Sequence, residues 1–230
     1  MPSDLAEPVA RYLVAAGLAD DPERGYEYAK AARQLAARVG IVRETCGIAA
    51  YRAGEWADAL AELRAARRLT GQDSYLPLMA DSERALGRLD RALDLVTSAE
   101  KSDLSRQTQI ELRIVESGIR RDQGFPDAAV VALQIPELTE GRRPWSARLF
   151  YAYADALADA GRDGEARFWF GKAAEADSAG ETDAAERAED LDMLAFDDLD
   201  LGDEKDDEDD RDDDEHLGDE HVNDDGRQEP

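Results

Sequence analysis

Small and apolar residues recur along this chain at the spacing of one helix face. In the run GIAAYRAGEWADALAELRAARRL, Gly54 is followed two residues later by Trp56, and then by Ala59, Leu63 and Ala66. Steps of three and four residues place these side chains on one side of an α-helix. The glycine before them supplies the left-handed backbone that ends the preceding helix. The run therefore predicts two helices joined by a tight turn.

The same pattern returns three more times at a nearly constant interval. The turn glycines are 33, 37 and 37 residues apart, and they are Gly54, Gly87, Gly124 and Gly161. Small residues let two helix backbones approach, and a bulky residue between them fills the space one turn away. The later copies of this alternation are Leu89, Ala92, Val96 and Ala99, then Ala129 and Leu133, and finally Ala166, Phe170 and Ala173. Such a period predicts stacked antiparallel helix pairs.

This pattern resembles the tetratricopeptide repeat, a degenerate helix-turn-helix unit of about 34 residues. The resemblance covers about residues 40–177 and, more loosely, an N-terminal pair from Pro8 to Arg38. It implies an all-α, right-handed α-solenoid of antiparallel helix pairs. An Ala- and Leu-rich sequence leaves a different α-solenoid or an irregular helical bundle open as the alternative.

The third copy departs most from the pattern, because Pro136 falls where its last small residue should stand. A proline inside a helix removes a backbone hydrogen bond and clashes with the preceding turn, so the second helix of this copy should stop by about Ile135. The segment PELTEGRRP then becomes a loop, and Pro144 is predicted to open the next helix.

Charge divides the chain into two very different parts. Residues 1–180 carry 29 acidic and 24 basic side chains, whereas residues 181–230 carry 25 acidic and only 4 basic ones. Before the most acidic stretch, a helical face with acids opposite it is formed by Ala184, Ala188, Leu191 and Ala195. A helix of this kind caps the open core of a repeat array. The stretch beyond it is too acidic and too poor in apolar residues to fold.

These observations predict four segments. They are a degenerate helix pair over 1–39, tetratricopeptide-like repeats over 40–177, a C-terminal capping helix over 181–196, and a disordered acidic tail over 197–230.

The sequence lacks the familiar motifs of cofactor binding and nucleophilic catalysis. Both histidines, His216 and His221, lie in the acidic tail, and Cys46 is the only cysteine. We therefore expect no enzymatic activity, no cofactor and no metal, with catalysis by carboxylates alone as the alternative. A cytoplasmic location is expected, because the N-terminus is acidic where a signal peptide is basic and its apolar stretch is too short to span a bilayer.

In the tetratricopeptide family, the first helix of each pair lines a concave groove that receives peptides or partner helices. By that register, the resemblance implies a partner-binding groove formed by Tyr51, Arg52, Arg84, Ile114, Arg121, Arg148 and Tyr151. Neighbouring groove positions hold Ile41, Glu44, Ile48, Leu78, Asp81, Glu111 and Asp155. The family's clamp for chaperone tails needs Lys and Asn at positions filled here by Glu44, Ile48, Pro77 and Asp81, so that specialised function is not expected.

Arginine recurs in this groove, and guanidinium groups bind carboxylates in a bidentate manner. A groove that is both apolar and cationic is one interpretation. The other is that these arginines only solubilise an Ala-rich helix.

The leading hypothesis for function is a protein-protein interaction scaffold or adaptor. It holds a peptide or helix of a partner in the groove, while the acidic tail modulates binding or solubility. The alternative is a chaperone-like or nucleic-acid-mimicking protein whose acidic tail captures basic proteins. Neither hypothesis involves a membrane or direct contact with nucleic acid, whose phosphates the tail repels. Acids in the tail and arginines in the groove also suggest an intramolecular contact between the two.

Overall fold

A computed structural model describes residues 3–99 and 103–200, which contain α-helices, one short 3-10 helix and no strand. Residues up to Asp192 form one compact unit. In chain order, the α-helices are α1 (Ser3–Leu18), α2 (Pro22–Ala36), α3 (Gly40–Arg52), α4 (Trp56–Thr70), α5 (Leu76–Ala85), α6 (Leu89–Ala99), α7 (Arg106–Asp122), α8 (Pro126–Leu133), α9 (Ser146–Asp159), α10 (Asp163–Ala176) and α11 (Ala184–Asp200). None of these helices is long and apolar enough to cross a membrane.

The helices are arranged as successive pairs. Helix α1 packs on α2, α3 on α4, α5 on α6, α7 on α8, and α9 on α10. The second helix of each pair then packs against the first helix of the next pair, and the first helices also contact one another from α1 through α9. One side of the array is therefore built from first helices lying side by side, as expected of a solenoid.

Four turns between paired helices share one backbone conformation. Their glycines have positive φ angles of 74°, 71°, 78° and 70°, in the order Gly54, Gly87, Gly124 and Gly161. The turn after α3 illustrates the bonds, since Gly54 N–H donates to the Tyr51 carbonyl and Glu55 N–H to the Ala50 carbonyl. This arrangement satisfies carbonyls that the end of a helix leaves free, and it needs a residue without a Cβ. The turns predicted from glycine spacing are confirmed.

The predicted contact between paired helices is also confirmed. Ala59, Leu63 and Ala66 of α4 are completely buried. Gly47 of α3 lies so close to Leu63 that a Cβ on this glycine would come within 2.7 Å of the leucine side chain. The same arrangement buries Ala92, Val96 and Ala99 in α6, and Ala166, Phe170 and Ala173 in α10.

The third pair is irregular, as its proline predicts, but the following helix begins later than expected. Helix α8 stops at Leu133, and Pro136–Leu138 forms the 3-10 helix within the predicted loop. Pro144 does not open α9, which begins at Ser146. Arg143 N–H donates to Ser146 Oγ at 2.9 Å, and Ser146 N–H donates to the Arg143 carbonyl at 3.0 Å. These bonds close a turn around Pro144 and delay the helix.

The capping helix α11 starts three residues later than predicted and runs to Asp200. The carboxylate of Asp177 accepts the backbone N–H groups of Glu181 and Thr182, and these bonds hold the pKa of Asp177 at about 2. Residues 181–183 therefore belong to a loop. Ala184 is buried in a core cluster shared with residues of α7 to α10, and Leu191 packs against that cluster. Residues 197–200 of the predicted tail continue the helix, and residues 201–230 lie outside the described part of the chain.

We predict that Leu63→Ala lowers the free energy of unfolding by about 2–5 kcal/mol, because truncating a buried leucine leaves a cavity between α3 and α4. Leu69→Ala on the same helix is the matched control, since Leu69 is 51% exposed and its loss should cost far less. Thermal or urea unfolding followed by circular dichroism measures both. Equal midpoints for the two variants would contradict the packing described here.

Candidate binding groove

A cavity of about 320 Å³ opens on the side of the array built from first helices. It lies between α5, α7 and α9, and the loop that precedes α11 closes one side of it. Five of the seven groove residues predicted from sequence line it, namely Arg84, Ile114, Arg121, Arg148 and Tyr151. We call this cavity the groove pocket.

The other two predicted residues lie elsewhere. Tyr51 donates its hydroxyl hydrogen to Asp81 of α5 and stacks edge-on against Trp56. Burial and the hydrogen bond to Asp81 both raise the pKa of Tyr51. Arg52 is exposed and lines a separate cavity of about 310 Å³ formed by residues of α1, α2 and α3 and the loop between α1 and α2. The structure therefore does not bring Arg52 into the groove pocket.

Several of the neighbouring positions support the array itself. Glu44 accepts a hydrogen bond of 2.9 Å from the hydroxyl of Tyr75. Ile48 and Leu78 pack against the core cluster of α4 and α5, whereas Ile41 is 52% exposed.

Arg84 joins successive first helices. Its Nε donates to Asp81 on the same helix at 2.8 Å, and its Nη1 donates to Asp122 at the end of α7 at 3.0 Å. Burial by itself would lower the pKa of Arg84, but the hydrogen bonds and charges of the two aspartates raise it overall. The guanidinium group is consequently charged and held in place.

Arg121 makes the equivalent contact one pair further along. Its Nε donates to Asp159 at 2.5 Å and its Nη1 to Asp155 at 2.7 Å, both on α9. Arg187 of α11 approaches the other oxygen of Asp155 at 3.1 Å and lies over the ring of Phe170 at 4.6 Å. Asp155 thus links α7, α9 and the capping helix.

Arg148 is held more loosely than the other two arginines. Its Nη2 donates to Glu111 of α7 at 2.9 Å, and its side chain is 58% exposed. Together these contacts form one row of four arginines and five carboxylates: Asp81, Arg84, Glu111, Arg121, Asp122, Arg148, Asp155, Asp159 and Arg187. We call it the groove row.

The groove row corrects the expectation of an openly cationic surface. Four arginines were predicted to bind carboxylates of a partner. Three of them, Arg84, Arg121 and Arg148, already bind carboxylates of this chain. The reason is geometric, because side-by-side first helices bring an arginine of one repeat opposite an acid of a neighbouring repeat. With four arginines and five carboxylates, the row is close to neutral.

Comparison with known proteins bears on the fold. No protein-family model and no curated protein matches the sequence. Among solved structures, TTC0263, a thermophilic TPR protein of Thermus thermophilus, aligns with a TM-score of 0.64 over 83% of this chain and all of its own, at 16% identity. The chain has the tetratricopeptide repeat fold. YrrB, a TPR protein with an unusual peptide-binding site, aligns with a TM-score of 0.49 over 84% of this chain and 92% of its own, at 15% identity.

Within this tetratricopeptide fold, two residues of α7 that sequence reasoning missed shape the groove pocket. A Cβ on Gly118 would lie 3.3 Å from Cζ and Nη1 of Arg84, so this glycine leaves room for the guanidinium group beside α7. A glycine inside a helix destabilises it by about 1 kcal/mol relative to alanine. A glycine in the middle of a predicted helix is therefore the sequence signal that could have identified Gly118. Ser117 beside it is 1% exposed, and its hydroxyl has no hydrogen-bond partner in the described part of the chain.

Cys46 offers no nucleophile to this surface. It is completely buried, and burial raises the pKa of its thiol to about 11. Within the described residues, no group of three or more His, Cys, Asp or Glu side chains is arranged to hold a metal ion. His216 and His221 lie outside those residues.

Proposed function

We propose that this chain is a protein-interaction scaffold, and that the groove pocket binds an extended or helical segment of a partner protein. The observation that carries the proposal is the pocket itself, where one apolar and four polar side chains predicted from the repeat register meet around about 320 Å³. Ligand pockets combine apolar walls with a few fixed polar groups in this way.

Unused hydrogen-bond donors define the class of ligand. Arg84 and Arg121 each donate to their acids through Nε and Nη1, and these bonds do not involve Nη2 of either residue. Among the described residues, Arg148 donates through Nη2 to Glu111. Guanidinium hydrogens of this kind are matched by carboxylate oxygens.

Ile114 and Ala152 supply apolar surface in the same pocket as these arginines. A segment that carries an acidic residue next to a large apolar one satisfies both features. Because the groove row is nearly neutral, such a ligand is held by short-range hydrogen bonds and apolar contact, with little long-range attraction.

The chain's own sequence contains a segment of this class. Residues 196–201 read FDDLDL, and the acidic stretch continues to the end of the sequence. We propose that the acidic tail competes with partner segments for the groove pocket and so modulates binding. A tethered competitor acts at an effective concentration on the order of millimolar, so even weak contacts matter.

The groove proposal predicts that Arg148→Gln weakens binding of a labelled synthetic peptide with the sequence of residues 196–207 by at least about tenfold. A hydrogen bond to a charged group contributes about 1.5–3 kcal/mol, which corresponds to that factor or more. Fluorescence anisotropy measures the affinity. Unfolding should be little affected, because an exposed ion pair contributes about 0–1 kcal/mol.

Two controls accompany that measurement. Arg113→Gln removes another exposed arginine of α7, paired with Glu116, that does not line the pocket, and it should leave the affinity unchanged. The same peptide with every Asp and Glu replaced by its amide should bind poorly to the parent chain. Equal binding by the Arg148 and Arg113 variants would rule out the groove pocket as the site.

The tail proposal predicts that a chain ending at residue 195 binds the labelled peptide severalfold more tightly than the full chain, because FDDLDL and the acidic stretch after it are gone. Ending at residue 195 keeps Ala184 and Leu191, which pack with the core, and removes only the last residues of α11. Unchanged affinity would leave the tail with a solubilising role alone, and the groove proposal would then rest on the Arg148 result.

A further inference from the structure

Helix α1 has an apolar face that faces away from the core. Its inner face buries Val9 and Ala16, and α1 packs against both α2 and α3. On the outer face, Val14 is 60% exposed and Leu18 is 78% exposed. Ala6 and Ala10 are exposed at the same four-residue spacing, so Ala6, Ala10, Val14 and Leu18 form one stripe. We call it the α1 stripe.

The order of residue sizes along the α1 stripe is small, small, large, large. We propose that the stripe docks on the α1 stripe of a second copy of this chain, with the two helices antiparallel about a two-fold axis. That axis passes between Ala10 and Val14. It places Leu18 of each copy against Ala6 of the other, and Val14 against Ala10.

Complementarity of size selects this occupant and this direction. In the two-fold arrangement, every large residue faces a small one, which lets the backbones approach along the whole contact. A parallel pairing sets Leu18 against Leu18 and leaves a gap between the two Ala6 positions. Two copies of the stripe are complementary in size only when one helix runs antiparallel to the other. An interface between two-fold related copies requires this kind of self-complementarity.

Charge near the stripe is compatible with self-association. The flanking residues Glu7 and Arg11 neutralise each other through an ion pair of 2.5 Å within the same helix. Most of the chain's net charge of −26 lies in residues 181–230, far along the sequence from α1. Like-charged chains still repel, and salt screens that repulsion while it leaves apolar contact intact.

The dimer is expected to be weak and to strengthen with salt. Helix α1 is about 24 Å long, so one helix pair buries less than the roughly 1,200 Å² of a standard interface. Contacts held by ion pairs weaken with salt, so the direction of the salt effect separates this interface from an ionic contact.

Sedimentation equilibrium of the full chain, at concentrations up to several hundred micromolar in low and high salt, tests the proposal. Dimer is expected at high concentration, with a larger fraction in high salt. The double variant Val14→Gln, Leu18→Gln should stay monomeric, with a thermal midpoint near that of the parent because both residues are exposed. Leu69→Gln, which alters an exposed leucine of α4, should still dimerise.

Cross-linking tests the direction of pairing. A mixture of an Ala10→Cys chain and a Val14→Cys chain should yield the mixed disulfide as the main product, and a Leu18→Cys chain should not link to itself. The native thiol of Cys46 is completely buried and does not interfere. A chain that stays monomeric throughout, a dimer that survives the double variant, or efficient Leu18 self-linkage would each overturn the proposal.

Discussion

The structure depends on the close approach of the two helices within each pair. Gly47 and Leu63 show the constraint most clearly, since a single added carbon on the glycine would collide with the leucine. Close approach buries one face of each helix but leaves the pair with a second apolar face that it cannot cover alone. Stacking the next pair on that face is the solution, and repetition of this step produces the array.

Stacking also determines where polar groups meet. Because first helices lie side by side, Arg84 of α5 reaches Asp122 of α7, and Arg121 of α7 reaches the acids of α9. These pairs fix the orientation of the guanidinium groups on the surface. A guanidinium group has five N–H donors. When some of them bind one carboxylate, the remaining donors can bind a second one.

Local features of the sequence predict the repeats well. Turn glycines and small residues act within one helix pair, so their spacing is enough to place the turns and the buried face. Pro144 fails as a helix start because a hydroxyl two residues later closes a turn around it. The register implied by the tetratricopeptide resemblance assigns Ile114 and Arg148 to the groove, and both line the groove pocket, but it does not reveal that the arginines are already paired. The acids on neighbouring first helices lie 34–38 residues away along the chain, and only the contact between repeats brings them to these arginines.

The central claim is that a partner segment binds on the first-helix side, at the groove pocket. Titrating the isotope-labelled full chain with the unlabelled peptide of residues 196–207, and following backbone amide shifts by NMR, tests it directly. The account predicts the largest shifts at Ile114, Gly118 and Ala152, which line the pocket, and almost none at Val131 and Phe168 on second helices. Largest shifts on α8 and α10, or no shifts at millimolar peptide, would contradict it.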